Sequence, residues 1–288
     1  MRKEKMINWI IDTNLWDEYE ERLIDSIKKS GANVCFYDEI KNSSFKKFIT
    51  SEFSSNNNIN IFHGSLGHGR QLTHLPIYPG VFLTIDNYEC YNYYGYFGDY
   101  LLNEDYLMMG LNDVLRNKDK IFSTFINTHV FIRPSNGFKS FPGQMLSFNN
   151  FESEFSLLTK SYCGLDMNTL VLISDRQQLK EEYRFIVVDG IVVSGSQYFD
   201  EENIGTFDPY YDRICQDQKA TDFAIKMSKI YQPDLAYTID VCKTIDDEYK
   251  LLELNSFNCA SMYGNDYDKV VKAVNELSTN EHNKLFKI

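Results

Sequence analysis

The chain contains no apolar run approaching the ~18 residues of a membrane-spanning helix, no block of basic residues, and no closely spaced pair of cysteines. Each absence excludes a class. Without the first, no segment is expected to cross a bilayer. With 29 basic against 41 acidic side chains the formal charge is −12. An acidic surface repels phosphate backbones, so nucleic acid is a disfavoured partner. Six cysteines (Cys35, Cys90, Cys163, Cys215, Cys242, Cys259) are scattered without a CxxC pair, and zinc and dithiol sites need close spacing. The opening MRKEKMINWIIDTNLWDEYEE turns acidic too soon after a short apolar stretch to read as a secretory signal. The expected location is the cytoplasm, with the thiols reduced. No internal repeat, low-complexity segment, or Ser-His-Asp or Cys-His constellation is visible.

What is present is ordinary globular composition, 43% hydrophobic and 24% charged over 288 residues, enough for about two domains of ~150 residues. Ile7–Ile11 reads as a strand, followed by turn chemistry at Asp12, Thr13 and Asn14. A helix is expected over Leu15–Lys29, with Trp16, Tyr19, Leu23 and Ile27 on one face. A second strand over Asn33–Tyr37 and a third over Ile59–Phe62 complete the opening of a parallel sheet. Tyr88–Tyr100 (YECYNYYGYFGDY) is dense in aromatics and reads as a loop-rich apolar cover, with base stacking as the alternative. Asn103–Leu115 has helical spacing, and the polar RNKDK that follows marks a boundary near residue 118. The expected domains are therefore 1–118 and 119–288. In the second, strands at Thr128–Arg133 and Leu170–Ser174 alternate with a helix at Phe151–Tyr162. Two hairpins follow, Glu182–Asp189 with Ile191–Phe199 and Leu235–Thr244 with Glu248–Asn255. The first turns at Asp189–Gly190, a strong hairpin signal. Helices are expected at Thr221–Tyr231 and Asp266–Leu277. The fold class is α/β in the first third and α+β beyond it.

The most informative segment is LAYTIDVCKTIDDEYKLLELN. Alternation puts Tyr237, Ile239 and Val241 on one side of its first strand and Leu252 and Leu254 on one side of its second. A register that buries these together gathers Asp240, Glu253 and Asn255 on the opposite face. With a turn centred on Asp246–Asp247, Asp240 falls across from Glu253; a shift of two pairs it with Asn255. Like charges placed opposite one another destabilise a sheet, whereas three such oxygen donors suit a divalent cation. A solvated polar face is the alternative.

Cations occur in strand-like contexts elsewhere. Arg133 ends an apolar strand in THVFIRPSNGFKSFPGQ, and the small-residue loop after Pro134 carries Lys139, a combination able to cover a phosphate chain. In KEEYRFIVVDGIVVSG, alternation puts Arg184 beside Ile186 and Val188, where an unpaired guanidinium is costly. Either it pairs with Glu182 or caps an element, or it faces phosphate oxygens through its planar fork. His63 and His68 in FHGSLGHGR read as flanking a turn before a helix whose N–H groups can meet an anion. A metal pair, or a substrate carboxylate approaching near Arg70, are the alternatives.

FIRPSNGFKSFPGQ, EEYRFIVVDGIVVSGSQY and LAYTIDVCKTIDDEYKLLELNSFN, in this order, resemble ATP-grasp proteins, in particular the clade characterised by two arginines and a lysine and found in phages and bacteria. The likeness covers roughly residues 100–275; Gly64–Ser65 and Leu101–Tyr106 also look familiar. It implies an α+β ATP-grasp fold, two α+β lobes holding a nucleotide between them, preceded by an α/β N-terminal domain. It implies that Arg133 touches the nucleotide phosphates and that Lys139 lies on the loop covering them. Leu172, Ile173 and Ser174 resemble the strand whose backbone meets adenine, with Asp175 near the ribose. Arg184 matches the arginine beside the γ-phosphate and acyl-phosphate site, which makes Arg184 and Arg133 the catalytic candidates. Asp240, Glu253 and Asn255 match the Mg²⁺ ligands. The implied cofactors are ATP and Mg²⁺, and the implied activity joins a small-molecule or peptide carboxylate to an amine. Two alternatives stay open: a phosphotransferase acting on a hydroxyl, and a nucleotide-binding interaction module without turnover.

Overall fold

The computed structural model describes residues 5–12, 17–36, 58–162, 165–202 and 213–287. Thr13, Asn14, Leu15, Trp16, Tyr37 and Cys163, and the side chain of Tyr19, lie outside the described residues.

The chain opens with β1 (Met6–Ile11), α1 (Asp17–Lys29), β2 (Asn33–Phe36), β3 (Asn58–His63), α2 (Leu66–Leu72) and the short β4 (Pro79–Gly80). The strands form a sheet of order β2-β1-β3-β4, with β1 parallel to both neighbours. Strands buried on both faces need apolar runs, which WII of β1 and IF of β3 supply: Trp9, Ile10, Ile61 and Phe62 are all fully buried. In α1, Leu23 and Ile27 turn inward while Lys28 and Lys29 occupy the last turn, where they complement the helix dipole.

Next come α3 (Cys90–Phe97), β5 (Tyr106–Gly110), α4 (Leu111–Val114), α5 (Lys118–Phe125), β6 (His129–Pro134), β7 (Gln144–Ser147), α6 (Phe151–Ser161) and β8 (Leu170–Asp175). Here the structure departs from expectation twice. The tyrosine-rich stretch is helical: Cys90, Tyr93, Tyr94 and Phe97 are buried at i, i+3, i+4 and i+7, and Tyr91 and Tyr96 are exposed. Residues 103–115 are not one helix: Tyr106–Gly110 are strand, because β5 pairs antiparallel with β8 (Met108 opposite Leu172), and only the four residues of α4 are helical. The sheet order is β5-β8-β6-β7. Its core is formed by Val130, Ile132, Val171 and Ile173 against Ile121 and Phe122 of α5 and Phe151, Phe155 and Leu158 of α6.

The remainder comprises β9 (Leu179–Val188), β10 (Ile191–Asp200), β11 (Arg213–Ile214), α7 (Gln218–Ile230), β12 (Ala236–Thr244), β13 (Tyr249–Ser256) and α8 (Tyr267–Phe286), with sheet order β11-β10-β9-β12-β13. Asp189 (φ 51°) and Gly190 (φ 77°) are both left-handed in the β9–β10 turn, as a type I′ hairpin requires. Asp217 and Asp266 cap α7 and α8 through their carboxylates, each cap contributing on the order of 1 kcal/mol. Strand β12 lies between β9 and β13, and Ala236–Cys242 are buried on both faces.

Compactness divides the chain into two bodies. One comprises Met1–Leu83, Lys180–Cys242 and Glu253–Ile288; the other comprises Thr84–Leu179 and Lys243–Leu252. In the first body a single core joins Trp9, Ile11 and Ile61 to Ile186, Val188 and Ala236, and to Val270, Val271 and Val274 of α8. No helix among the described residues is long and apolar enough to cross a membrane.

Candidate functional site

Strands β9, β12 and β13 are neighbours, and they bring charged residues together inside the first body. Arg184 on β9 is 6% exposed and Asp240 on β12 is 1% exposed. Arg184 donates from Nε to Asp240 Oδ1 at 2.7 Å, from Nη2 to Oδ2 at 2.6 Å, and from Nη1 to the carbonyl of Ser261 at 3.0 Å. Asp240, rather than Glu182, is thus the arginine's ion-pair partner. Burial alone would lower the pKa of the guanidinium; the adjacent Asp240 carboxylate outweighs it and holds the pKa above the ordinary value.

Asp240, Glu253 and Asn255 are gathered together. Asn255 Nδ2 lies 2.9 Å from Glu253 Oε1 and 3.3 Å from Asp240 Oδ2. The hairpin carrying them turns through Ile245, Asp246 and Asp247, with Thr244 N donating to Glu248 O at 2.9 Å. The loop is therefore three residues long rather than the expected pair, and Asp247 takes the left-handed position (φ 63°) that such loops require. Among the described residues no three His, Cys, Asp or Glu side chains assemble as a metal site. Two carboxylates and an amide suit a cation such as Mg²⁺, which draws its other ligands from phosphate and water.

Sequence reasoning missed the residues around this centre. Tyr198 sits at a register shift between Gln197 and Phe199, a bulge in the β9–β10 ladder. Bulges re-aim side chains, and here the Tyr198 ring stacks on Tyr263, centroids 4.6 Å apart and planes at 18°. The Arg184 guanidinium carbon lies 4.8 Å from the Tyr263 ring centre and 5.8 Å from that of Tyr198. Glu182 is hydrogen-bonded to Tyr198. Burial raises its pKa first, and the charges of Asp240 and Glu253 raise it further.

In the second body, Arg133 lies on β6 opposite Leu172 of β8. Lys139 is exposed in the β6–β7 loop, left-handed at φ 49°, with its N–H donating to Asn136 O at 3.2 Å. Leu172, Ile173 and Ser174 are buried, and β8 pairs through them with β5 on one side and β6 on the other. Asp175 accepts from Asn127 Nδ2 and from the Arg176 N–H, each at 2.7 Å. Asp175, Arg176, Gln177 and Gln178 border a cavity of about 740 Å³ that Tyr106 and Lys250 also line.

The two histidines go different ways. His63 packs edge-on against Phe257, centroids 5.4 Å apart, and burial depresses its pKa to about 4. His68 Nδ1 lies 2.6 Å from Asp12 Oδ2, which also accepts from Ser65 N at 3.1 Å. These hydrogen bonds outweigh the opposing effect of burial and keep Asp12 below the usual carboxylate range. The start of α2 is thus served by a carboxylate of the chain itself. Gly64 is needed there, because a Cβ would come within 2.2 Å of Asp12 Cβ.

No sequence match is found among curated proteins. Solved structures align over almost the whole chain. A D-alanine-D-alanine ligase from Coxiella burnetii matches with TM-score 0.64 and 12% identity over 98% of each chain. One from Bacillus anthracis complexed with ATP matches with TM-score 0.61 and 13% identity, covering 97% of this chain and 99% of its own. A Chryseobacterium gregarium RiPP-associated ATP-grasp ligase in complex with ADP and a leader and core peptide has TM-score 0.59 and 12% identity, over 96% and 97%. At such identities the likeness speaks for fold alone. The family model for the ATP-grasp domain of R2K clade family 2 matches residues 116–273, more than half of the chain and the segment that holds Arg133, Lys139, Arg184, Asp240, Glu253 and Asn255. The chain belongs to the R2K clade of ATP-grasp proteins.

Proposed function

We propose that the protein is an ATP-dependent carboxylate–amine ligase that works through an acyl phosphate. The observation that carries the proposal is the cluster of buried Arg184, Asp240 and Asn255 with half-buried Glu253, an arginine fork set among hard oxygen donors. A Mg²⁺ ion fits the chemistry of that donor set and would be held by Asp240, Glu253 and Asn255. When bound, it neutralises phosphate charge. Arg133 and Lys139 bind the phosphate chain, and Asp175 with Arg176–Gln178 receives the nucleoside at the cavity they border.

In the first step a substrate carboxylate oxygen attacks the γ-phosphorus in line. The new O–P bond forms as the bond to the β-phosphate oxygen breaks, releasing ADP. Arg184 stabilises the negative charge spread over the transferring group. In the second step an amine attacks the acyl carbon, the C–O bond to phosphate breaks, and inorganic phosphate leaves as the amine loses a proton. Positioning and charge neutralisation do the work, so no nucleophilic side chain is needed.

The substrates proposed are an amino acid or a peptide carboxylate and an amine; the neighbouring ligases named for D-alanine, and the one solved with a peptide, support this class. The test supplies ATP, Mg²⁺ and hydroxylamine with amino acids and short peptides in turn, and reads ADP, phosphate and hydroxamate. A hydroxamate formed together with equal ADP and phosphate supports the ligase. ADP without phosphate would reassign the protein as a phosphotransferase.

A further inference from the structure

Three features of the first body converge on Arg184. The Tyr198 ring reaches it because β10 carries one extra residue at that point. Tyr263 reaches it from a left-handed backbone, φ 46°, a conformation that a bulky residue adopts only when its surroundings impose it. Those surroundings are visible: Tyr267 Oη donates to Tyr263 O at 2.9 Å, and Gly264 N donates to Ser196 Oγ at 2.9 Å. The two rings stack on each other and lie against the guanidinium. Of the five N–H groups an arginine carries, three are committed to Asp240 and Ser261, which leaves two for a ligand.

We propose that Tyr198 and Tyr263 are positioning residues that clamp the plane of the Arg184 guanidinium, so that its two remaining N–H groups meet the γ-phosphoryl group of ATP. The inference rests on the reading that Arg184 serves that group. A guanidinium whose plane could turn about Cδ–Nε would spread its donors over many directions; ring faces beside it restrict that rotation and favour the cation electrostatically. Backbone strain at Tyr263 is then the cost of presenting a ring at this position.

The test needs no knowledge of the carboxylate or amine. Calorimetry measures Mg²⁺-ADP and Mg²⁺-AMPPNP binding to the full-length protein, and the ratio of the two dissociation constants reports contact with the γ-phosphoryl group. The wild type should favour AMPPNP, and Arg184→Gln should bring the ratio close to one. Tyr198→Leu and Tyr263→Asn should each reduce the ratio about 3- to 30-fold, the range expected for a lost cation–π contact, with ADP affinity unchanged. Tyr263→Phe, which keeps the ring, should retain the wild-type ratio. Asparagine is chosen because it tolerates a left-handed backbone, so that variant should fold at least as well as the wild type while losing discrimination. Tyrosine variants with a wild-type ratio, alongside a defective Arg184→Gln, would overturn the clamp and leave the role of Arg184 standing. An unaffected Arg184→Gln overturns the assignment of Arg184 and the clamp with it. Failure of the wild type to bind either nucleotide would overturn the proposed function itself.

Discussion

Arg184 and Asp240 face each other as a two-pronged ion pair, Nε to Oδ1 at 2.7 Å and Nη2 to Oδ2 at 2.6 Å, with almost no exposed surface. The group proposed to meet phosphate and a group proposed to hold Mg²⁺ therefore neutralise each other within one body. Removing one partner strands a buried charge, so Asp240→Ala should cost ~3–5 kcal/mol of stability. Replacing both with apolar residues, Arg184→Met with Asp240→Leu, should recover most of that loss in urea unfolding. Equal stability of wild type and Asp240→Ala would show that the pair is solvated.

Metal dependence follows from the same cluster. AMPPNP should bind the wild type about tenfold or more weakly in EDTA than in Mg²⁺, since a bridging cation offsets several phosphate charges. Glu253→Ala and Asn255→Ala should shrink that difference. If both variants respond to Mg²⁺ as the wild type does, the cation is held elsewhere.

His63 predicts an acid limb in stability. Its pKa falls from 6.5 unfolded to about 4 folded because burial disfavours the charged ring. Between those values the unfolded state binds more protons. Stability is thus complete above pH 6.5 and falls as the pH drops towards 4, by about 3 kcal/mol if this group acts alone. Thermal melts of His63→Phe across that window should show a shallower loss than the wild type; parallel curves would assign the acid sensitivity to other groups.

Gly64 and Gly67 offer a matched contrast. Gly64→Ala would place a methyl 2.2 Å from Asp12 Cβ and 2.8 Å from Phe62 Cζ, whereas Gly67 in α2 faces open space. The first change should lower stability by ~1–3 kcal/mol. The second should be neutral or raise it by up to ~1 kcal/mol through helix propensity. Two indistinguishable melting curves would contradict this packing.

Where periodicity was long and the local chemistry distinctive, the sequence was readable. The β1–α1–β2 unit, the Asp189–Gly190 hairpin and the α6 and α8 helices follow from apolar spacing and turn residues. Asp240, Glu253 and Asn255 do meet, but alternation alone does not account for it: the three-residue loop pairs Thr244 with Glu248, a register whose strict continuation would set Asp240 opposite Leu252. Two elements were misjudged for physical reasons. The helical spacing of Cys90, Tyr93, Tyr94 and Phe97 was masked by the aromatics between them. Residues 106–110 have helical spacing but are held extended by β8, a tertiary choice that local pattern does not encode. Tyr198 and Tyr263 left no signal, since one depends on a bulge and the other on a strained backbone.

The tie between Trp9 Nε1 and Asn275 Oδ1, at 2.9 Å and 266 residues apart, has a consequence for the order of folding. Strand β1 is tied through this bond to α8, and Asn275 also donates to Ser30 Oγ at 3.1 Å. Closure of this body is thus dominated by long-range contacts and slow by topology. A chain stopped before α8 would expose the apolar flank of its first sheet to chaperones and proteases.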